Sequence, residues 1–335
     1  SEGLDKVFWL SARTTGRRLA LDAAEVMLGA DATGGGARPL RVLELVARDK
    51  ACEHPDKACH GESCPLARGF WDRLPAARAE AVASPAMLDK AALRGLALRH
   101  EVCPYYLGQE LARWADLVVG DYNHWFDGPA LLHAWALDQG WRVAVLVDEA
   151  HNLVDRARAM YSSTLDAAEL QAVRRGTAAS PLRRALDRLA RHWRALEREA
   201  EAPYTVFDDP PAPLAEAVRK AAAEATEALA DPARGSDPAL QTLAFDLIHF
   251  AQRLDGFGPH VLFDLTLSAV RPGRSARSSA EDRGGASAPS RVHRTASVLC
   301  VRNLVPAPHL RARWQAARCA VLFSATLSPR EYHAD

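Results

Sequence analysis

Two adjacent carboxylates after an apolar run are the first residues of this sequence that could do chemistry. Asp148 and Glu149 follow the run VAVLV at 143–147, and His151 comes two residues after Glu149. If that run is a buried parallel strand, its carboxyl end lies at the sheet edge where open α/β folds bind ligands. There one carboxylate can hold a magnesium ion that bridges phosphates, and the other can deprotonate an attacking water. The plainer alternative is a strand-to-helix turn whose acids are favoured by the helix dipole.

Small hydroxyl residues follow a second apolar run near the end of the chain. Ser324 and Thr326 stand in VLFSATL at 321–327. Such hydroxyls could relay between a phosphate site and a second ligand site, whereas an ordinary Ser/Thr turn after a strand is the competing explanation. Because both runs fit strands of one sheet, chance is a poor explanation for finding the two motifs in one chain.

Four of the six cysteines form a spaced set that could bind metal. Their spacing is C-x6-C-x4-C-x38-C, and in a reducing compartment clustered cysteines favour metal over disulfides. Four thiolates can hold either a tetrahedral zinc ion or a [4Fe–4S] cluster. The distant last ligand and the lack of a C-x2-C pair favour iron–sulfur, and zinc stays open. The set is Cys52, Cys59, Cys64 and Cys103, with His54 and His60 between them as bystanders.

Short apolar runs alternate with helical patterns through the first half of the chain. A helical pattern covers about 17–28 and ends at glycines. Continuous apolar strands between helices are typical of a parallel sheet covered on both faces. Cys300 and Cys319 each stand alone in such a run, where we expect a small buried hydrophobe. The predicted strands are 7–10, 41–47, 117–120, 143–147, 297–301 and 319–323.

The composition changes after residue 155. From 165 to 254 the chain is rich in Ala, Leu and Arg, and prolines divide it into about four helices. Residues 271–297 are rich in Arg, Ser, Gly and Ala, which predicts a flexible loop. A helical block therefore interrupts an α/β domain that resumes near the C-terminus. One predicted helix has a single apolar face, formed by Leu182, Leu186, Leu189, Trp193 and Leu196.

Charge and hydropathy limit the class of protein. The 335 residues are 48% hydrophobic, so a sizeable core is expected. The 42 basic and 42 acidic side chains cancel, so any nucleic-acid surface has to be a local patch. No apolar run approaches the roughly 20 residues of a membrane span, and the N-terminus has no secretory pattern. We expect a soluble, cytoplasmic protein with no membrane partner.

The order of these motifs resembles the XPD/DinG family of superfamily-2 helicases. The resemblance runs from residue 7 to about residue 330 and implies an α/β fold. That fold is a discontinuous, RecA-like parallel-sheet motor domain with an iron–sulfur cluster insertion and a mainly helical arch insertion. The resemblance also implies that the cysteine set holds a [4Fe–4S] cluster. The matching segments are SARTTGR, the four-cysteine insertion, CPYYLGQELARWADLVVGDYNHWF, VLVDEAHNL and VLFSATLSP.

The resemblance assigns roles at the nucleotide end. Asp148 would help to hold Mg²⁺, and Glu149 would activate the water that hydrolyses ATP. His151 would couple the nucleotide state to motion. Ser324 and Thr326 would form the coupling motif III.

A second set is assigned to single-stranded DNA. Ser11, Arg13 and Thr14 match a motif that contacts the strand backbone, and hydroxyl and guanidinium groups suit phosphate oxygens without reading sequence. Arg48 matches a basic residue beside the cluster, and Tyr105 would stack on entering DNA. Packing beside the preceding proline is the alternative for Tyr105, and an N-cap is a compatible role for Thr14.

Three features depart from the family pattern. No G-x-x-x-x-G-K-S/T motif occurs in these 335 residues, so the loop that cradles phosphates is not among them. The family has that loop upstream of SARTTGR, so we expect the chain to begin after it. The second motor domain with its arginine finger is not found either. Gln109 stands where the family often has a basic residue.

The predicted function is therefore part of an ATP-dependent DNA helicase. The whole protein would translocate on single-stranded DNA, 5′ to 3′ as the family does, and unwind duplex junctions; the fragment alone would be inactive. An alternative from another class is a zinc-stapled, catalytically silent scaffold that grips nucleic acid. The predicted domains are the motor (1–46, 113–155 and 297–335), the iron–sulfur domain (47–112), and the helical arch (156–296, with the flexible loop 271–296).

Overall fold

Two compact units make up the computed structural model of this chain. The first comprises Ser1–Tyr161 together with Val305–Asp335, and the second comprises Ser162–Leu304. None of the described helices is both long and apolar enough to cross a membrane. The structure describes residues 3–31, 40–57, 59–83, 87–231, 237–269 and 295–326.

Strands and helices alternate along most of the chain. The strands are β1 (Lys6–Ser11), β2 (Val42–Glu44), β3 (Leu117–Gly120), β4 (Val143–Asp148), β5 (Ser163–Asp166), β6 (Tyr204–Phe207), β7 (Val261–Ala269), β8 (Thr295–Asn303) and β9 (Cys319–Phe323). The helices are α1 (Thr14–Asp31), α2 (Arg48–Ala51), α3 (Phe70–Ala83), α4 (Lys90–Arg99), α5 (Pro104–Leu111), α6 (Asn123–Phe126), α7 (Leu131–Asp138), α8 (Leu153–Met160), α9 (Ala167–Gly176), α10 (Pro181–Glu199), α11 (Ala212–Ala230), α12 (Pro238–Asp255) and α13 (Ala307–Ala316).

A parallel sheet forms the centre of the first unit. Its strands run in the order β2-β3-β1-β4-β9, and each neighbouring pair is parallel. Strand residues such as Phe8, Leu10, Val118, Val145 and Val147 are fully buried. Continuous apolar strands of this kind are what a parallel sheet covered on both faces requires. The predicted α/β fold with a parallel sheet is confirmed.

Cys319 corrects one expectation. A buried cysteine was predicted there, but Cys319 is exposed, because β9 is the edge strand of the described sheet and pairs with β4 alone. Cys300 is buried within β8, as predicted. An apolar run by itself does not show whether its strand lies at the centre or at the edge of a sheet.

Helices α2 to α5 connect β2 to β3 and include the region of the four spaced cysteines. Arg73 fastens the loops around these cysteines. Its Nη2 donates to the carbonyl oxygen of Arg68 at 2.5 Å and to that of Glu101 at 2.7 Å. The turn that follows Cys64 is thereby tied to the turn that precedes Cys103. Apolar side chains of α3, α4 and α5 share one core with the sheet, namely Phe70, Leu74, Leu93, Leu96, Leu107 and Leu111.

The second unit combines helices with a small antiparallel sheet. Helices α9 to α12 share an apolar core with strands in the order β5-β8-β7-β6. Trp193 on α10 donates its indole N–H to Ser297 of β8 at 3.0 Å. The four helices expected in this region are present in its described residues. The predicted apolar face of α10 is confirmed by the burial of Leu182, Leu186, Leu189, Trp193 and Leu196.

Strand β8 lies in this second sheet and not in the parallel one. The sequence interpretation placed 297–301 at the start of the returning motor segment, but β8 pairs antiparallel with β5 and β7. Leu299 and Val301 belong to the core of the second unit. Any interior strand has buried apolar residues, so the sequence pattern could not show which sheet this strand joins. Strands β5, β6 and β7 were not predicted, so this unit holds more sheet than expected. Residues 271–294 of the predicted loop 271–296 lie outside the described residues.

Candidate functional site

The carboxyl ends of three parallel strands bring the predicted nucleotide residues together. Asp148 is the last residue of β4, and its register partners are Ser11 at the end of β1 and Phe323 at the end of β9. Residues 149–151 and 324–326 follow directly, so both polar motifs lie at one edge of the sheet. Open α/β sheets bind ligands at this edge.

Glu149 has a left-handed backbone, with φ 52° and ψ 45°. For a residue with a side chain this conformation costs about 1–3 kcal/mol, so its surroundings have to hold it. The hydroxyl of Tyr122 donates to the carbonyl oxygens of Asp148 and, at 2.8 Å, of Glu149. Asn152 Nδ2 donates to the Glu149 carbonyl at 3.2 Å. Burial first, and then neighbouring carboxylate charges, raise the pKa of Tyr122, so its hydroxyl stays protonated and able to donate.

A hydrogen-bond network joins Glu149 to the two predicted hydroxyls. Ser324 Oγ donates to Glu149 Oε2 at 3.0 Å and lies 2.7 Å from His151 Nδ1. The Thr326 N–H donates to Ser324 Oγ at 3.2 Å, and Thr326 Oγ1 lies 3.3 Å from His151 Nδ1. A hydroxyl has one proton and two lone pairs, so a Ser324 that donates to Glu149 can only accept from His151. This arrangement requires a proton on His151 Nδ1.

The predicted DNA contacts at the end of β1 and just after it divide into a buried residue and two exposed residues. Ser11 is fully buried, and its Oγ accepts the N–H of Arg13 at 3.3 Å. Arg13 and Thr14 are exposed, and Arg17 donates to Thr14 Oγ1 at 3.2 Å. Arg13 and Thr14 are therefore open to solvent, whereas Ser11 holds the turn through its hydrogen bond to Arg13.

Two residues that shape this edge were missed by sequence reasoning. Tyr122 lies after β3, and no spacing motif marks it. Gly16 in α1 lies so close to Asp148 and Ser11 that a Cβ there would overlap the carboxylate and the hydroxyl. Glycine inside a helix costs roughly 0.5–1 kcal/mol relative to alanine. The predicted helix began at about residue 17, so the sequence pattern did not mark Gly16 as a helical glycine, whereas the observed helix begins at Thr14.

Two of the predicted metal ligands, Cys52 and Cys59, lie close enough to a third, Cys103, for their charges to act on it. Burial raises the pKa of Cys103, two backbone N–H groups of α5 lower it, and the charges of Cys52 and Cys59 raise it further. Arg48 Nη1 donates to Cys59 Sγ at 3.8 Å. Cys64 is buried, and all four are free thiols. The structure thus brings Arg48 to the cysteine region, as the resemblance implied.

The cysteine geometry does not by itself define a metal centre. Within the described ranges, no group of three or more Cys, His, Asp or Glu side chains is arranged to hold a metal ion. The chemistry of the donors fits a thiolate-bound cluster: four free cysteines, backbone N–H donors to one sulfur and a guanidinium beside another. The metal set remains a prediction.

Tyr105 and Gln109 lie one turn apart on α5. Gln109, which stands where a basic residue was expected, hydrogen-bonds the Tyr105 hydroxyl through its side chain. Burial raises the pKa of Tyr105, and the charge of Arg48 lowers it. The predicted contacts Arg48 and Tyr105 are therefore neighbours, and Gln109 supports the tyrosine instead of supplying a cation.

Comparisons with known proteins point to helicases. The family DEAD_2 matches residues 40–170. The Regulator of telomere elongation helicase 1 from Bos taurus is 27% identical over 124 residues, which are 34% of this chain and 10% of that protein. The Fanconi anemia group J protein homolog from Gallus gallus is 34% identical over 82 residues, 24% of this chain and 6% of that protein. The chain spans about a tenth or less of the length of these two curated relatives.

Two solved structures share the fold. The structure "XPD_Helicase" gives a TM-score of 0.54 at 16% identity and covers 98% of this chain and 52% of that one. "Truncated XPD" gives a TM-score of 0.55 at 15% identity, with 99% of this chain and 84% of that one covered.

The parallel sheet gives this unit the RecA-like α/β fold that the two solved structures share. The resemblance to XPD/DinG-like superfamily-2 helicases that the motifs predicted is confirmed by these similarities.

Proposed function

We propose that this chain is part of an ATP-dependent DNA helicase that translocates 5′ to 3′ on single-stranded DNA and separates strands at duplex junctions. The observation that supports it best is the bond from Ser324 to Glu149 beside Asp148. This bond connects the residue suited to activate water with a hydroxyl on the neighbouring strand end. A nucleotide motor needs such a link between hydrolysis and movement.

The residues at the carboxyl edge of the parallel sheet have separate roles in ATP hydrolysis. Asp148 would hold Mg²⁺, which when bound neutralises charge on the nucleotide phosphates. Glu149 takes a proton from the attacking water, and Ser324 holds its carboxylate in one orientation. His151 contacts both Glu149 and Ser324, so a shift between β4 and β9 changes its bonds. These contacts support coupling of hydrolysis to movement.

The nucleic-acid side uses exposed cations, hydroxyls and an aromatic ring. Arg13 and Thr14 contact the phosphates of one strand, and Arg48 and Tyr105 lie beside the cysteines. A [4Fe–4S] cluster, when bound, would hold the segment from α2 to α5 together as a rigid unit. Its ligands would be Cys52, Cys59, Cys64 and Cys103.

ATP turnover requires a row of backbone N–H groups for the phosphates, and these 335 residues contain no G-x-x-x-x-G-K-S/T loop. We therefore expect the chain alone to show no ATPase activity. The proposed function is tested in a protein that contains this chain together with a phosphate-binding loop and a second motor domain, here called the complete helicase. It should displace a strand from a duplex with a 5′ overhang only when ATP is present. Displacement that does not depend on ATP contradicts the proposal.

A further inference from the structure

Four aromatic side chains form a row beside the cysteines, here called the aromatic row: Trp71 and Phe70 at the start of α3, and Tyr106 and Tyr105 at the start of α5. The ring centroids are 5.2 Å apart for Phe70 and Trp71, 6.0 Å for Phe70 and Tyr106, and 5.1 Å for the two tyrosines. All three contacts are edge-on. Tyr105 and Tyr106 follow the predicted ligand Cys103 within the same turn.

Trp71 and Tyr106, the two rings that contact Phe70, are both open to solvent. Trp71 is 78% exposed, more than any other large apolar side chain in the described part of the chain, and Tyr106 is 42% exposed. Phe70 is buried and anchors α3 to the core, so Trp71 is not needed for that purpose. A large apolar side chain that stays in water gives up the favourable free energy of burial. Exposure of adjacent rings on this scale marks a binding surface.

A positive charge adjoins the aromatic row. Arg48 lies beside the cysteines that the aromatic row adjoins, and its Nη1 donates to Cys59 Sγ at 3.8 Å. One negative charge also lies near the aromatic row, since Asp72 follows Trp71 in the first turn of α3. Aromatic faces next to a guanidinium are the combination that binds single-stranded nucleic acid, because rings stack on bases and cations meet the phosphates.

We propose that Trp71 and Tyr106 form a stacking surface for the unpaired bases of single-stranded DNA. This inference rests on the proposed function and adds a base-contacting site to the phosphate contacts at Arg13 and Thr14. Every base has a π face, so the surface accepts any sequence. A protein partner is the other class of occupant, and the test below separates the two.

The test measures anisotropy of labelled oligonucleotides with the 335-residue chain. One probe is a thymidine oligonucleotide, and the second is an abasic oligonucleotide of equal length, which keeps the phosphates and lacks the bases. Trp71→Ala should weaken binding of the thymidine probe about tenfold, within the range for loss of one stacked base, and leave the abasic probe unchanged. Trp71→Phe should retain most of the affinity, while Arg13→Ala should weaken both probes.

The controls keep the outcomes apart. Trp114→Ala removes another half-exposed indole, at 43% exposure, and should change neither affinity. The Trp71→Ala variant should have the same unfolding temperature as the parent chain, because the indole that it lacks is largely exposed to water. If the parent prefers the thymidine probe and Trp71→Ala binds it equally well, the stacking site is overturned, a protein partner becomes the better explanation of the exposed ring, and the proposed function stands. If the parent binds neither probe, the proposed DNA function of this chain fails as well.

Discussion

The hydroxyl of Ser324 donates a hydrogen bond to Glu149 Oε2 at 3.0 Å, although 175 positions separate the two residues. The bond is possible because β4 and β9 are parallel neighbours whose carboxyl ends coincide. His151 lies within 3.3 Å of the same carboxylate oxygen and within 2.7 Å of the same hydroxyl. The acidic motif and the hydroxyl motif therefore form one hydrogen-bonded unit.

Removing the Ser324 hydroxyl should weaken both hydrolysis and coupling. A hydrogen bond to a charged group contributes about 1.5–3 kcal/mol, so Ser324→Ala in the complete helicase should slow ATP turnover roughly tenfold or more. Strand displacement should fall further than turnover, because His151 also loses its shorter contact after β9, at 2.7 Å, and keeps only the 3.3 Å contact with Thr326. The base pairs opened per ATP hydrolysed measure this. Ser324→Thr keeps a hydroxyl and is the matched control. If Ser324→Ala opens as many base pairs per ATP hydrolysed as the parent, the proposed coupling role of Ser324 is wrong.

The hydroxyl of Tyr122 should matter for both stability and catalysis. Tyr122→Phe leaves two carbonyl oxygens with one donor fewer, and the matched variant Tyr161→Phe removes a similar bond to the Phe126 carbonyl at 2.6 Å. Each variant should lower the free energy of unfolding in urea by about 1–3 kcal/mol. In the complete helicase only Tyr122→Phe should also slow ATP turnover, because only that hydroxyl holds the backbone of Glu149. Equal turnover in the two variants would contradict this role.

Anaerobic purification tests the cysteine set. The chain should be brown and should contain about four irons per molecule, as expected for a [4Fe–4S] cluster on four thiolates. Cys103→Ser should lose the iron and lower the thermal stability of the first unit, since metal binding is coupled to folding. Cys319→Ser removes an exposed cysteine outside the set and should keep the iron. A colourless protein with one zinc per chain would instead favour the zinc-stapled scaffold.

Cys300 should be protected from alkylation because its buried thiol stays protonated. Burial, followed by the charge of Asp264, raises its pKa from 9.0 to about 11. The thiolate is the reactive form, so at pH 9 roughly 1% of native Cys300 is reactive, against half in the unfolded chain. A raised thiol pKa stabilises the native state below pH 9, and that contribution is lost as pH rises through about 11. Iodoacetamide labelling followed by mass spectrometry should modify exposed Cys319 first. Equal labelling rates would show that burial does not hold the Cys300 proton.

The parallel sheet could largely be predicted from the sequence. Strands β3 and β4 are apolar runs that end in turn or acidic residues, so their positions follow from local pattern. The buried face of α10 followed from its spacing in the same way. Strands β5 and β6 could not be predicted, because they have four residues each and alternate too briefly to be distinguished from helix.

The candidate site was predictable where it depended on motifs at strand ends. Asp148, Glu149 and Ser324 meet because β4 and β9 are neighbours. The burial of Ser11 and the support from Tyr122 could not be predicted. Both depend on contacts between segments distant in sequence, and no local pattern records them. The left-handed backbone of Glu149 is likewise set by those contacts, since no glycine marks the position.

The central claim is that Glu149 is the base for ATP hydrolysis in a motor that moves on DNA, and single-turnover hydrolysis by Glu149→Gln in the complete helicase tests it most directly. ATP binding is measured in parallel, and Glu110→Gln, whose carboxylate pairs with Arg78 in the cysteine region, is the control. Glutamine keeps the shape of glutamate and cannot accept the proton. Glu149→Gln should bind ATP with the parent's affinity, hydrolyse it roughly 100-fold or more slowly, and displace no strand. Hydrolysis by Glu149→Gln at the rate of the parent would contradict the account.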